Sequence, residues 1–330
     1  MLACTAALSA ATMSRAATND LGPIGFGTVA VDDARAHVYV SGPTAGVVDV
    51  LDYAGNLVAT IPNLPGAWGM VVSGRYLYVA EGDAGAIAKV DLNSATFTAT
   101  QIATGLPYAR RLAMVDGTLW TAVSPVPPTG WETLASIDPR SGRVRTFAQE
   151  YYSPDLAASP GAPGTLFLAY DAQSPGQLLR IDVSKPKLRV VANQFTDGSN
   201  IQDLAVSPDG TRLIPASGYP YAFEEFSAAT LQPDGLVYPG QPYPSAVATS
   251  PGRGGLLATG LDNGYSSPDI AVYPLGNTTP VFTATTMTPN GTANVLPHGL
   301  ALTQDGNMLF AVTGSDPVAT DTVFNTFALP

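Results

Sequence analysis

The sequence predicts an all-β fold, a seven-bladed β-propeller with four-stranded antiparallel blades, from three observations. First, 33 glycines and 29 prolines punctuate the 330 residues too often for long helices, while 45% hydrophobic and only 12% charged content leaves ample material for a large core. Second, one unit, a short apolar strand, a turn and a second strand carrying an aromatic or large aliphatic residue, recurs seven times. Third, the copies are spaced at the length of a propeller blade. With Ala30, Val71, Ala113, Ala157, Ala205, Val247 and Ala301 as anchors, successive separations are 41, 42, 44, 48, 42 and 54 residues.

The first three units read Thr28-Val29-Ala30-Val31 with Val38-Tyr39-Val40, Gly69-Met70-Val71-Val72 with Leu77-Tyr78-Val79, and Arg111-Leu112-Ala113-Met114 with Leu119-Trp120. Blades four to seven begin at Asp155-Leu156-Ala157, Asp203-Leu204-Ala205-Val206, Ala246-Val247-Ala248 and Leu300-Ala301-Leu302. Between first and second strands, Asp116-Gly117, Pro208-Asp209-Gly210 and Asp305-Gly306 are hairpin signals, because Asp and Gly tolerate the positive φ of tight turns. A third strand ends in an acid at Asp52, Asp91, Asp138 and Asp182. Each of these acids is expected to accept hydrogen bonds from backbone N–H groups of the following turn rather than to hold a ligand.

The seventh blade needs an outer strand from elsewhere. Thr322 to Ala328 can be its third strand, and residues around Ala17 to Pro23 can come round as the fourth, or a continuation of the chain can supply it. Residues 1–16 look like the apolar region and cleavage zone of a secretory signal peptide without its basic start, with Ser14-Arg15-Ala16 a suitable cleavage site. The domains expected are therefore a leader, 1–16, and one propeller, 17–330. Cys4, in that leader, is the single cysteine, which excludes intramolecular disulfides and cysteine zinc sites.

Leu77-Tyr78-Val79-Ala80 followed by Ala86-Ile87-Ala88-Lys89-Val90-Asp91-Leu92, together with Val38-Tyr39-Val40-Ser41 and Ala205-Val206-Ser207-Pro208-Asp209-Gly210, resembles the YVTN-type seven-bladed propellers of exported bacterial proteins, within the quinoprotein- and NHL-like group. The resemblance spans nearly the whole chain and implies a fold, not an activity. Similar wheels also precede Ig-like repeats, so it leaves open a structural module of a longer cell-surface protein.

One rim of such a wheel carries the loops from fourth to first strands and from second to third strands, and here these loops are long and aromatic. Trp68, Tyr108, Trp131, Tyr151, Tyr152, Tyr170, Phe195, Tyr219, Tyr221, Tyr243 and Tyr265 all fall on it. Amphipathic rings on adaptable loops supply contact area at low entropic cost, so the rim is expected to bind; alternatively the rings pack against neighbouring loops. Two positions before the anchors, Arg111, Asp155 and Asp203 fall side by side at the channel mouth, with Gln202 and His298 one position earlier in their blades. Either Arg111 pairs with both acids, or Asp155 and Asp203, with Gln202 or His298, hold a hard cation such as Ca²⁺. A Ser/His/Asp triad would have to combine Ser245, His298 and Asp203, with no nucleophile elbow to support it.

A net charge of −11 opposes phosphate backbones, which excludes nucleic acid, and no segment has the roughly 18 uninterrupted apolar residues of a membrane helix. The expected function is an exported, secreted or cell-surface, monomeric and non-enzymatic propeller. It binds a peptide, glycan or protein partner through Trp68, Tyr108, Arg111, Tyr151, Tyr152, Tyr219, Tyr221 and His298. The alternative is a metal-dependent lactonase- or lyase-type enzyme with Asp155 and Asp203 as ligands and His298 as base, although the acidic motif typical of the first blade of such wheels is missing.

Overall fold

In the computed structural model, residues 15–125, 130–252, 255–262, 268–288, 291–315 and 321–330 are described. They form seven four-stranded antiparallel sheets in a ring, with no helix among them. Cys4 and most of the leader-like segment lie outside the described residues, as does Tyr265. Six of the sheets run from an inner to an outer strand in chain order, as in blade one, Val29–Asp32, His37–Gly42, Val47–Asp52 and Leu57–Ile61. In blade four the second strand, Thr165–Tyr170, is buried throughout, whereas the outer strand Arg189–Phe195 alternates between half-buried and exposed residues. That gradient explains why second strands carry the aromatic and aliphatic signature and fourth strands do not.

The core is not one body but seven layers, each between neighbouring blades. Tyr39 and Val50 pack on Met70 and Leu77 between blades one and two; Phe26 and Val38 meet Phe310 and Phe324 between blades one and seven. Arg15–Gly22 supplies the missing outer strand of blade seven, antiparallel to Thr322–Ala328 with Thr18 opposite Asn325 and Asp20 opposite Val323. A small hairpin, Met287–Thr288 with Gly291–Thr292, sits between blades six and seven and accounts for part of the 54-residue spacing there.

The turn chemistry follows the sequence. Asp116 and Gly117 both take positive φ, 48° and 79°, as a two-residue primed turn requires. The acids closing third strands accept turn N–H groups: Asp52 from Asn56 at 2.8 Å, Asp91 from Asn93 at 3.0 Å, Asp138 from Arg140 at 2.9 Å and Asp182 from Ser184 at 3.0 Å. Hydrogen bonds from the side chains of Asn56, Arg75, Ser141 and Ser184, respectively, are the main reason that all four carboxyls titrate below their usual range. A carboxyl with a depressed folded pKa stabilises the fold above its unfolded pKa, about 3.9, and loses that contribution as pH falls. The quadruple variant D52N/D91N/D138N/D182N should therefore show a flatter fall of the urea midpoint between about pH 4 and pH 2 than the parent chain. Parallel curves would assign acid sensitivity to other carboxyls.

Candidate functional site

The inner strands all start at one mouth of the axial channel, which brings residues far apart in sequence together there. Arg111 immediately precedes Leu112 and the inner strand of blade three, Ala113–Val115; Asp155 lies in Pro154–Ala157 and Asp203 in Ser199–Val206. His298 arrives from blade seven by a different device. In Asn294–Leu302 the pairing with the next strand jumps from Val295 opposite Thr313 to Leu300 opposite Ala311, so residues 296–299 face a single partner position. Such a bulge re-aims side chains. His298, at φ 60°, is carried across to the acids of blades four and five.

The resulting cluster is tightly connected. His298 Nδ1 lies 2.9 Å from Asp203 Oδ1, while His298 Nε2 lies 3.8 Å from Asp155 Oδ1. Asp203 also accepts hydrogen bonds from the backbone N–H groups of Leu204 at 2.8 Å, Val247 at 2.9 Å and His298 at 3.3 Å, so one carboxylate of blade five binds blades six and seven. Asp155 accepts from the Leu156 N–H at 2.9 Å and faces Arg111 Nε at 3.3 Å. The expected ion pairing is thus divided: Arg111 meets Asp155, and the imidazole, not Arg111, meets Asp203.

The electrostatics separate the two acids. Burial raises the Asp155 pKa, and the nearby His298 and Arg111 charges do not fully offset it. Burial also acts on Asp203, but there the His298 charge and hydrogen bond and the two strand N–H groups prevail, and the pKa falls. Burial and Arg111 oppose a charge on His298, while Asp203 and Asp155 favour it and raise its pKa. The Ser245 hydroxyl donates to the Val295 carbonyl at 2.7 Å, a contact between blades six and seven.

The cluster adjoins a cavity of about 370 Å³ at the mouth, whose wall includes Trp68, Arg111, Asp171, Gln202, Asp262, Asn294 and His298. Register with the anchors brings out Arg111, Gln202 and His298, and Asp262 stands in the sequence as part of Asp262-Asn263-Gly264, a weak loop cation-site resemblance, but Asp171 carries no signal of its own. Asp171 follows a second strand, so the rule that gathered the rim aromatics would also have gathered it had it been applied to acids. Burial raises the Asp171 pKa despite Arg111 nearby.

The aromatic rim divides into three kinds of ring. Tyr151 is completely buried between blades three and four and offers no binding surface, because its strand, Val144–Tyr152, turns that ring into the interblade core. Trp68, Tyr108 and Tyr152 are half-buried: Arg110 caps the Trp68 ring at 4.9 Å, and Tyr152 meets Trp131 edge-on at 5.4 Å. Tyr219 and Tyr221 project outward and form, with Tyr243, a chain of edge-to-face rings 5.7 Å and 5.4 Å apart. These three are 54%, 36% and 50% exposed, which distinguishes them from rings that merely pack.

Over 94% of this chain and 97% of the other, the fold is similar to a chain of the solved structure of Kuenenia stuttgartiensis hydrazine synthase, with a TM-score of 0.71 and 15% identity. At that identity the likeness is one of fold. No curated protein matches the sequence. A family model described as a repeat of unknown function, DUF6923, matches residues 44–209, half of the chain and the whole of blades two to four, and the seven-bladed wheel described above belongs to that DUF6923 family.

Proposed function

We propose that this propeller is an exported binding protein, kin to the YVTN-type wheels, that grips a peptide or glycan with the aromatic rim around its channel mouth and does not transform it. The observation that carries the reading is the Tyr219–Tyr221–Tyr243 chain: three rings at right angles, all substantially exposed, on the loops of blades five and six. Exposed tyrosines held in mutual contact present apolar faces and hydroxyls with few rotamers left to freeze, which is what a contact surface for a polar polymer requires. Trp131 and Phe195, 52% and 54% exposed on the same rim, extend it. Export rests on the leader-like residues 1–16, and a monomer in solution is the accompanying expectation.

Arrays of immobilised glycans and peptides provide the test. The parent chain is expected to select one class, and Y219A/Y221A/Y243A to lose at least tenfold in affinity, since each aromatic anchor contributes on the order of 1 kcal/mol or more. Affinity unchanged by the triple substitution, with an unchanged melting temperature, would remove the rim from binding.

A second reading, a lactonase- or lyase-type enzyme with His298 as base, is favoured by the 2.9 Å contact of His298 Nδ1 with Asp203, which orients the ring as a base would need. Turnover of a lactone panel that disappears in His298→Gln would support it over the binding reading.

A further inference from the structure

We propose that Asp155 and His298 bind one divalent transition-metal ion, zinc by the chemistry of the donors, at the floor of the axial mouth, with Asp203 holding the imidazole from behind. This site is independent of the tyrosine rim.

The two nitrogens of the His298 ring meet different surroundings. With the Nδ1 proton directed at Asp203 Oδ1, 2.9 Å away, the neutral ring presents a lone pair on Nε2. Nε2 is buried, has no hydrogen-bond partner among the described residues, and faces Asp155 Oδ1 at 3.8 Å. Two acceptors facing one another repel, and the gap is too long to share a proton. It suits an ion that binds both. With zinc–nitrogen and zinc–oxygen bonds of about 2.1 Å, a 3.8 Å separation subtends roughly 130° at the metal, and a shift of a few tenths of an ångström brings it to the tetrahedral angle.

The surroundings fit the same reading. A carboxylate behind a ligating histidine fixes its tautomer and raises its basicity, and Asp203, itself held by the N–H groups of Leu204 and Val247, is a rigid version of that partner. The side chains of Asp155, Asp203 and His298 are only 5%, 7% and 14% exposed. On the cavity side, the Gln202 amide oxygen is a second buried acceptor without a partner among the described residues, and Gln202 lines the same wall as His298. A nitrogen donor in the pair selects zinc over the oxygen-seeking Ca²⁺ that the acids alone suggest. Arg111 opposes the site, since its guanidinium competes for Asp155 Oδ1 at 3.3 Å.

Zinc alone, titrated into the full chain at pH 7.5 against a chromophoric chelator, tests the site. One ion per chain is expected. His298→Gln and Asp155→Asn should weaken binding at least tenfold, Asp203→Asn should weaken it on the order of tenfold, and His37→Gln should leave it unchanged. Arg111→Gln should tighten it severalfold, an effect that a purely structural ion-pair cluster does not produce. Cobalt added to the parent chain should give the visible absorption of a tetrahedral nitrogen–oxygen site, a readout that depends on no variant folding correctly. No stoichiometric zinc binding by the parent chain, or equal binding by His298→Gln, would overturn the proposal and leave the cluster an imidazolium ion pair.

Discussion

Replacing Asp203 by alanine is expected to destabilise the protein by about 3–5 kcal/mol, the range for removing one partner of a buried, hydrogen-bonded charge pair. The size follows from what the carboxylate connects. Three backbone N–H groups, of Leu204, Val247 and His298, and the His298 ring all terminate on it, and three of these four groups belong to other blades. Each N–H left buried without an acceptor costs roughly 1–3 kcal/mol where water cannot replace the lost partner. Asp155→Ala should cost clearly less, because that carboxyl receives one backbone N–H and is already held above its usual pKa by burial. Urea unfolding of the two variants at pH 7 checks both statements. A loss under about 1 kcal/mol for Asp203→Ala, or equal losses for the pair, would show that the inter-blade role is wrongly assigned.

Truncation supplies the second large effect. A chain starting at Pro23 lacks Arg15–Gly22 and so exposes one edge of Thr322–Ala328 along its whole length. It is expected to melt on the order of 10 °C lower and to associate at micromolar concentration, because an open strand edge pairs with other chains. A chain starting at Ala17 keeps five of the six paired positions, Ala17, Thr18, Asn19, Asp20 and Gly22, and should melt within a few degrees of the parent. Calorimetry with light scattering distinguishes the two. Similar melting of both chains would mean that the closing strand contributes little.

Much of this architecture is legible in the sequence because its determinants are local. Asp116-Gly117 specifies its own turn, Asp52 and Asp138 cap the turns that follow them, and the apolar second strands repeat at blade spacing. Arg111, Asp155 and Asp203 come together because register alone carries them to one mouth. What periodicity does not encode is the path of the chain where pairing is interrupted. The bulge at residues 296–299 decides which acid His298 meets, and it is visible only in the ladder with the neighbouring strand. Tyr151 and Tyr152 are adjacent in sequence and both pack at the layer between blades three and four, yet one is enclosed and the other only half-buried at its edge, a difference that the sequence pattern does not encode.

The pairing of the first strand with the last also dictates an order of events during synthesis. Phe26 and Val38 cannot acquire their neighbours Phe310 and Phe324 until the seventh blade has emerged, so an apolar flank of blade one stays uncovered while blades two to six are made. A chain stalled before Asn294 lacks the whole seventh blade and is therefore not a shortened wheel but an open arc whose two ends remain adhesive.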